Sequence, residues 1–164
     1  MTSFDTFVRE QVEKAKPNAA LDVEGTVNRY RQRVEEFYTF VTSDWLKKNI
    51  DAGEIVIERK PVTISEELLG SYQVDGMNIV IGGIVVMLRP VGTILIGTHG
   101  RIDICYQSRR SMFVLTGKNI TSPRSRQKTP GEEVWKYVDR SGVMNYVGLD
   151  ADRFQQIILD LING

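Results

Sequence analysis

The chain has 164 residues, 41% of them hydrophobic and 26% charged, with 21 basic and 21 acidic side chains and a formal net charge of zero. Such a composition excludes disordered, collagen-like and disulfide-stapled classes and gives no overall bias toward nucleic acid or anionic membrane. The length fits one domain, residues 1–164, able to bury roughly two thirds of its unfolded surface.

The opening MTSFDTFVREQVEKAK mixes acids and bases among its apolar residues and does not read as a signal peptide. With a single cysteine, Cys105, that points to a reducing, cytoplasmic setting, in which the sequon at Asn119 has no glycosylating machinery to meet. Phe4, Phe7, Val8, Val12 and Ala15 recur at helical spacing, and Pro17 closes the run, so a first amphipathic helix is expected. A longer helix follows. Val23, Val27, Tyr30, Val34, Phe37 and Val41 advance in steps of four and three, Trp45 continues the stripe, Asp22 is the N-cap and Gly53 lies just past the end. The stripe suits a helix laid across a sheet better than a coiled coil.

From Glu54 the period becomes that of a strand. Ile55 to Glu58 alternate, and Pro61 implies an edge strand or a bend. Ile64 to Leu69 are expected to form a short helical turn, and Asp75–Gly76 a hairpin turn within SYQVDGMNIVI, with a second break at Gly82–Gly83. IVVML, TILI, RIDICY and SMFVL then follow at spacings that permit antiparallel neighbours and leave no room for crossover helices. Met77 to Gly97 is apolar over about the length of a membrane span, but Gly82, Gly83 and Pro90 interrupt it and β-branched residues fill it, so strands are expected and no membrane partner. KNITSPRSRQKTPGEE reads as an exposed loop, Glu133 to Val138 as a returning strand, and Asp150 as the cap of a helix with Phe154, Ile157, Ile158, Leu161 and Ile162 on one face. The expected fold is α+β: an antiparallel β-meander of about six strands with two N-terminal helices and one C-terminal helix packed on it.

Motifs for phosphate, dinucleotide or nucleophile-elbow chemistry do not occur, and one histidine with one cysteine cannot make the usual zinc spacings, so no cofactor and no metal are expected. The catalytic candidates are His99, Asp103 and Cys105. Alternation on one strand places a histidine, a carboxylate and a thiol on a shared face, which are the ingredients of a small hydrolase or transferase. The competing reading of that stripe is a surface on which Arg101 pairs weakly with Asp103.

Charge supplies a second signal. Residues 101–130 hold seven bases and one acid, Asp103, whereas 51–100 and 131–164 each hold three bases and six acids. Arg109, Arg110, Lys118, Arg124, Arg126 and Lys128 are therefore the candidate binding residues for a polyanion such as nucleic acid, set against a solvated loop whose charge protects strand edges. Strands such as IVVML are apolar on both faces, so both sides of the sheet need cover, from the chain's own helices or from a second copy. The leading expectation is a non-enzymatic macromolecular binding protein that holds a protein partner or a second copy of itself as a homodimer; nucleic-acid binding and catalysis are the alternatives.

Overall fold

A computed structural model describes residues 2–15, 22–93, 99–123 and 132–164. The TILI strand and the cations Arg124, Arg126 and Lys128 lie largely or wholly outside the described residues. Helix α1 spans Ser3–Ala15 and α2 spans Val23–Phe40, with the Asp22 carboxylate accepting from the Gly25 N–H. A π-helical turn, Val41–Trp45, continues α2 and is closed by a 2.9 Å bond from the Leu46 N–H to the Val41 carbonyl. Helix α3, Lys47–Asp51, ends in Gly53, whose φ of 75° is left-handed, as such a stop requires.

Seven strands follow among the described residues: β1 Ile55–Glu66, β2 Gly70–Ile81, β3 Ile84–Gly92, β4 Gly100–Tyr106, β5 Arg109–Gly117, β6 Glu133–Asp139 and β7 Asn145–Gly148. Each pairs antiparallel with the next, in the order β1 to β7, and α4, Ala151–Asn163, closes the fold. This is the α+β meander the sequence implies, with one strand more than expected. The strand with no counterpart in the sequence pattern is β7, four residues long and too short to leave a clear alternation. Pro61 does sit on an edge strand, where its missing N–H costs no ladder bond.

Two local expectations fail. Ile64–Glu66 belong to β1, and only residues 67–69 turn. Asp75–Gly76 makes no hairpin either: the pair lies inside β2, opposite Pro61 and Lys60. Here the buried set of β2 changes parity, from Tyr72 and Val74 to Met77 and Ile79. At the crossing point Gly76 runs so close to its neighbours that a Cβ would meet Val62 Cγ2 at 3.0 Å and the Leu88 carbonyl at 3.1 Å. Glycine is needed there for close approach rather than for a turn.

The core lies between one face of the sheet and helices α2 and α4. Phe37 of α2 and Phe154 of α4 both meet Phe113 of β5, which places the two helices on the same side. Leu88, Ile102, Ile104 and Leu115 of the sheet are fully or almost fully buried beneath them. The π-helical turn swings Trp45 onto Phe37 and Phe154, and Gln155 of α4 donates to the Trp45 carbonyl at 2.8 Å. Tyr30 anchors the start of α2 through a 2.6 Å bond from its hydroxyl to the Arg101 carbonyl. Tyr38 does the same further along, donating to the Asp75 carbonyl at 2.5 Å, while Arg59 joins Glu35 to the edge strand. The apolar stripe of α1 is not part of this core: Phe4 is 71% exposed, and Phe7 and Val12 are exposed as well.

Candidate functional site

The three catalytic candidates are placed on or beside β4, and no hydrogen bond joins any two of them. His99 precedes the strand; its Nδ1 lies 2.9 Å from Oε1 of Glu133 on β6. Asp103 is almost fully buried and accepts a bidentate pair from Arg101, Nε to Oδ1 at 2.7 Å and Nη2 to Oδ2 at 3.0 Å. Cys105 is half-buried, and burial first, then the Asp103 carboxylate, push its thiol above the usual range, against a smaller pull from Arg110, Arg89 and Arg101. A protonated thiol is a poor nucleophile. Arg101 thus engages both Asp103 oxygens while His99 pairs with Glu133 instead.

The binding candidates separate just as clearly. Arg109 and Arg110 are adjacent in β5 and so project to opposite faces. Arg109 turns to the helix side, where its Nη1 donates to the carbonyls of Leu161 and Ile162 at 3.0 and 2.9 Å and caps the end of α4. Arg110 stays on the open side, 62% exposed, with Nη1 3.7 Å from Asp103 Oδ2. Lys118 is exposed, 3.9 Å from Glu132.

Two surfaces stand out: the second face of the sheet, which strands apolar on both sides already implied, and a groove not anticipated from the sequence. The first is the face of β1–β5 turned away from the helices. On the β5–β7 side this face carries its own small core of Val114, Val138 and Tyr146 with Ile120 against it. The segment after β5 is tied down there, because Lys136 Nζ donates to the carbonyls of Lys118 and Ile120 and the Tyr146 N–H to that of Thr121. Burial pulls the Lys136 ammonium below the usual lysine range. On the β1–β4 side no described segment lies over the sheet. The strand register there sets out a row of side chains, Glu58–Asn78–Met87–Cys105–Arg110, flanked by Val56–Val80–Val85. Val56 is 53% and Val85 47% exposed.

The second surface is a groove of about 970 Å³ between the π-helical turn and the first half of β6. Trp45, Trp135 and Phe40 form its aromatic wall, Phe40 stacking on Trp45 at 5.4 Å between ring centres. Asp44, Glu133 and Asp150 are among its acids. Glu133 gives one oxygen to His99, and its other oxygen, Oε2, is buried without a partner. The sequence signals for the groove were the two tryptophans, but they lie ninety positions apart and nothing in their spacing links them.

Fold and surfaces together define the class of the molecule: an α+β protein built on an antiparallel meander with helices on one face. Comparison with protein-family models, with curated proteins and with solved structures finds no match to this chain. Among the described residues no helix is long and apolar enough to cross a membrane, and no cluster of three or more histidine, cysteine or carboxylate side chains has the geometry of a metal site.

Proposed function

We propose that this chain is a non-catalytic interaction protein that self-associates through the open face of its sheet. The observation that carries the reading is the row Glu58–Asn78–Met87–Cys105–Arg110, an acid at one end, a base at the other and the uncharged Asn78, Met87 and Cys105 between. Five strands spaced about 4.8 Å apart make this row roughly 19 Å wide. A two-fold axis running along β3 at Met87 lays Glu58 of one copy against Arg110 of the other, and the reverse, while an axis along the row opposes like charges. Glu58 has no hydrogen-bond or ionic partner among the described residues, so it is free for such a pair, and Val56, Val80 and Val85 supply apolar area beside it. An interface of this width belongs at the low end of specific interfaces, around 1,200 Å² in total, with an expected affinity in the micromolar range.

Sedimentation at roughly 1 to 100 μM, a range bracketing that affinity, is the direct measurement. Glu58→Arg and Arg110→Glu should each weaken the dimer about tenfold or more, and the double exchange should restore it, because the pair is then re-formed with its signs reversed. A monomer at every concentration, or a double variant no better than either single one, overturns the reading.

A further inference from the structure

The groove carries an inference independent of self-association. We propose that it binds a basic side chain, lysine or arginine, presented by an extended peptide segment. Four observations converge on that ligand.

The charge in the groove is unbalanced in one direction. Each base that lines it is engaged already: Arg33 with Glu36 at 3.0 Å, Lys118 beside Glu132, and Lys136 with two main-chain carbonyls. Asp44 has no partner among the described residues, and Glu133 Oε2 is an acceptor buried without a donor. A buried carboxylate oxygen left unsatisfied costs stability, and a turn of the Glu133 carboxylate, whose side chain is 20% exposed, toward an arriving ammonium or guanidinium group relieves it. The aromatic wall suits the same group. Phe40 is half-exposed over Trp45, and the face of an aromatic ring attracts a cation and packs against its apolar stem.

The strand edge identifies what carries the cation. β7 pairs only with Lys136–Asp139, so Glu133, Val134 and Trp135 border the groove in place of a strand. The Lys118 N–H donates to the Glu132 carbonyl at 2.7 Å, so by the alternation of an antiparallel ladder the main chain of Glu133 faces the open side. An extended segment added at this edge finds main-chain groups to bond and delivers alternate side chains into the groove. The volume, about 970 Å³, accommodates several residues of such a segment and exceeds what a lone amine would fill.

Both tryptophans of the chain line the groove, so their fluorescence reports occupancy directly. The probes are the acetylated, amidated pentapeptide Ala-Val-Lys-Val-Ala, the same peptide with norleucine in place of lysine, and n-butylamine. The lysine peptide should shift the emission, bind more weakly as salt rises, and bind about tenfold more tightly than the norleucine peptide. Glu133→Gln and Asp44→Asn, with unchanged melting, should each cost about tenfold, and Glu67→Gln, exposed in the turn between β1 and β2, should cost nothing. Equal binding of the norleucine peptide overturns the cationic part of the proposal, and butylamine binding as tightly as the peptide overturns the strand-edge part. Binding that emerges only when Arg124, Arg126 and Lys128 are replaced by serine assigns the groove to the chain's own basic segment and overturns it as well. So does the absence of any spectral or calorimetric response to all three probes.

Discussion

Phe37 is the residue on which the packing of this fold converges, and truncating it is the sharpest test of that packing. Its ring is fully buried and lies 5.0 Å from Phe113, 5.4 Å from Trp135, 5.5 Å from Trp45, 6.2 Å from Phe154 and 6.4 Å from Tyr38, centre to centre. Phe37→Ala removes the contact among α2, the π-helical turn, the sheet and α4 at once. Phenylalanine truncation in a core costs about 3–5 kcal/mol, and a site held by four separate elements cannot collapse to fill the void, so the upper end applies. Against a total of about 5–15 kcal/mol for a domain, that is a third of the stability or more. At roughly 2–4 °C per kcal/mol for a chain of this length, the melting temperature should fall by about 10–20 °C. Thermal melting and urea titration at fixed protein concentration measure it, with Phe4→Ala, at an exposed position of α1, as the control expected to stay within about 0.5 kcal/mol. A Phe37→Ala protein melting within a few degrees of the parent, or a Phe4→Ala protein equally damaged, would refute this account of the core.

Gly76→Ala should destabilise by about 1–3 kcal/mol, because the new methyl meets Val62 and the Leu88 carbonyl, whereas Gly83→Ala, with open space around it, should be tolerated; urea midpoints of the two variants decide the matter. The Cys105 thiol should titrate above its unfolded value, so alkylation of the native protein should lag behind that of the denatured chain at neutral pH and catch up only at higher pH. The same shift makes this group favour the fold at pH below the ordinary thiol value and withdraw that support as pH rises through it to the folded value, and Arg110→Ala, which removes a cation that opposes the shift, should move the alkylation profile higher still. Any affinity for single-stranded nucleic acid at low salt should come from the basic segment, so replacing Arg124, Arg126 and Lys128 with serine should lower the slope of log affinity against log salt by about two, and Arg109→Ala, which only uncaps α4, should leave the slope unchanged.

Much of the architecture was legible because periodicity and capping are local. The stripe from Val27 to Trp45, the Asp22 and Asp150 caps and the apolar face of α4 required no knowledge of the partner surface. The Asp75–Gly76 step misled for the opposite reason. A glycine after an aspartate is a strong local turn signal, yet its cause here is a long-range contact with β1 and β3 that no local pattern contains. The first helix illustrates the same divide: its spacing specifies an amphipathic helix, while what covers its apolar face is a property of the surroundings, and Phe4, Phe7 and Val12 remain exposed.

The candidate sites were less legible because sequence reports charge and leaves direction to the strand. The excess of bases after residue 100 is real in composition, but the ladder distributes it: Arg101 is spent on Asp103, Arg109 on the end of α4, and Arg110 alone of the three reaches out over the open face. Two adjacent arginines at a hairpin tip thus serve two unrelated ends, one holding the last helix and the other forming the basic end of the row that begins with Glu58. The strands that are apolar on both faces follow the same logic. α2 and α4 satisfy one face, the segment after β5 satisfies part of the other, and the remainder is the patch whose register places unlike charges at its two ends. A solvent-facing sheet has no need of Val56, Val80 and Val85 in a line. Their alignment with a polarised row is what the proposed dimer uses, setting a second copy of the chain there in place of water.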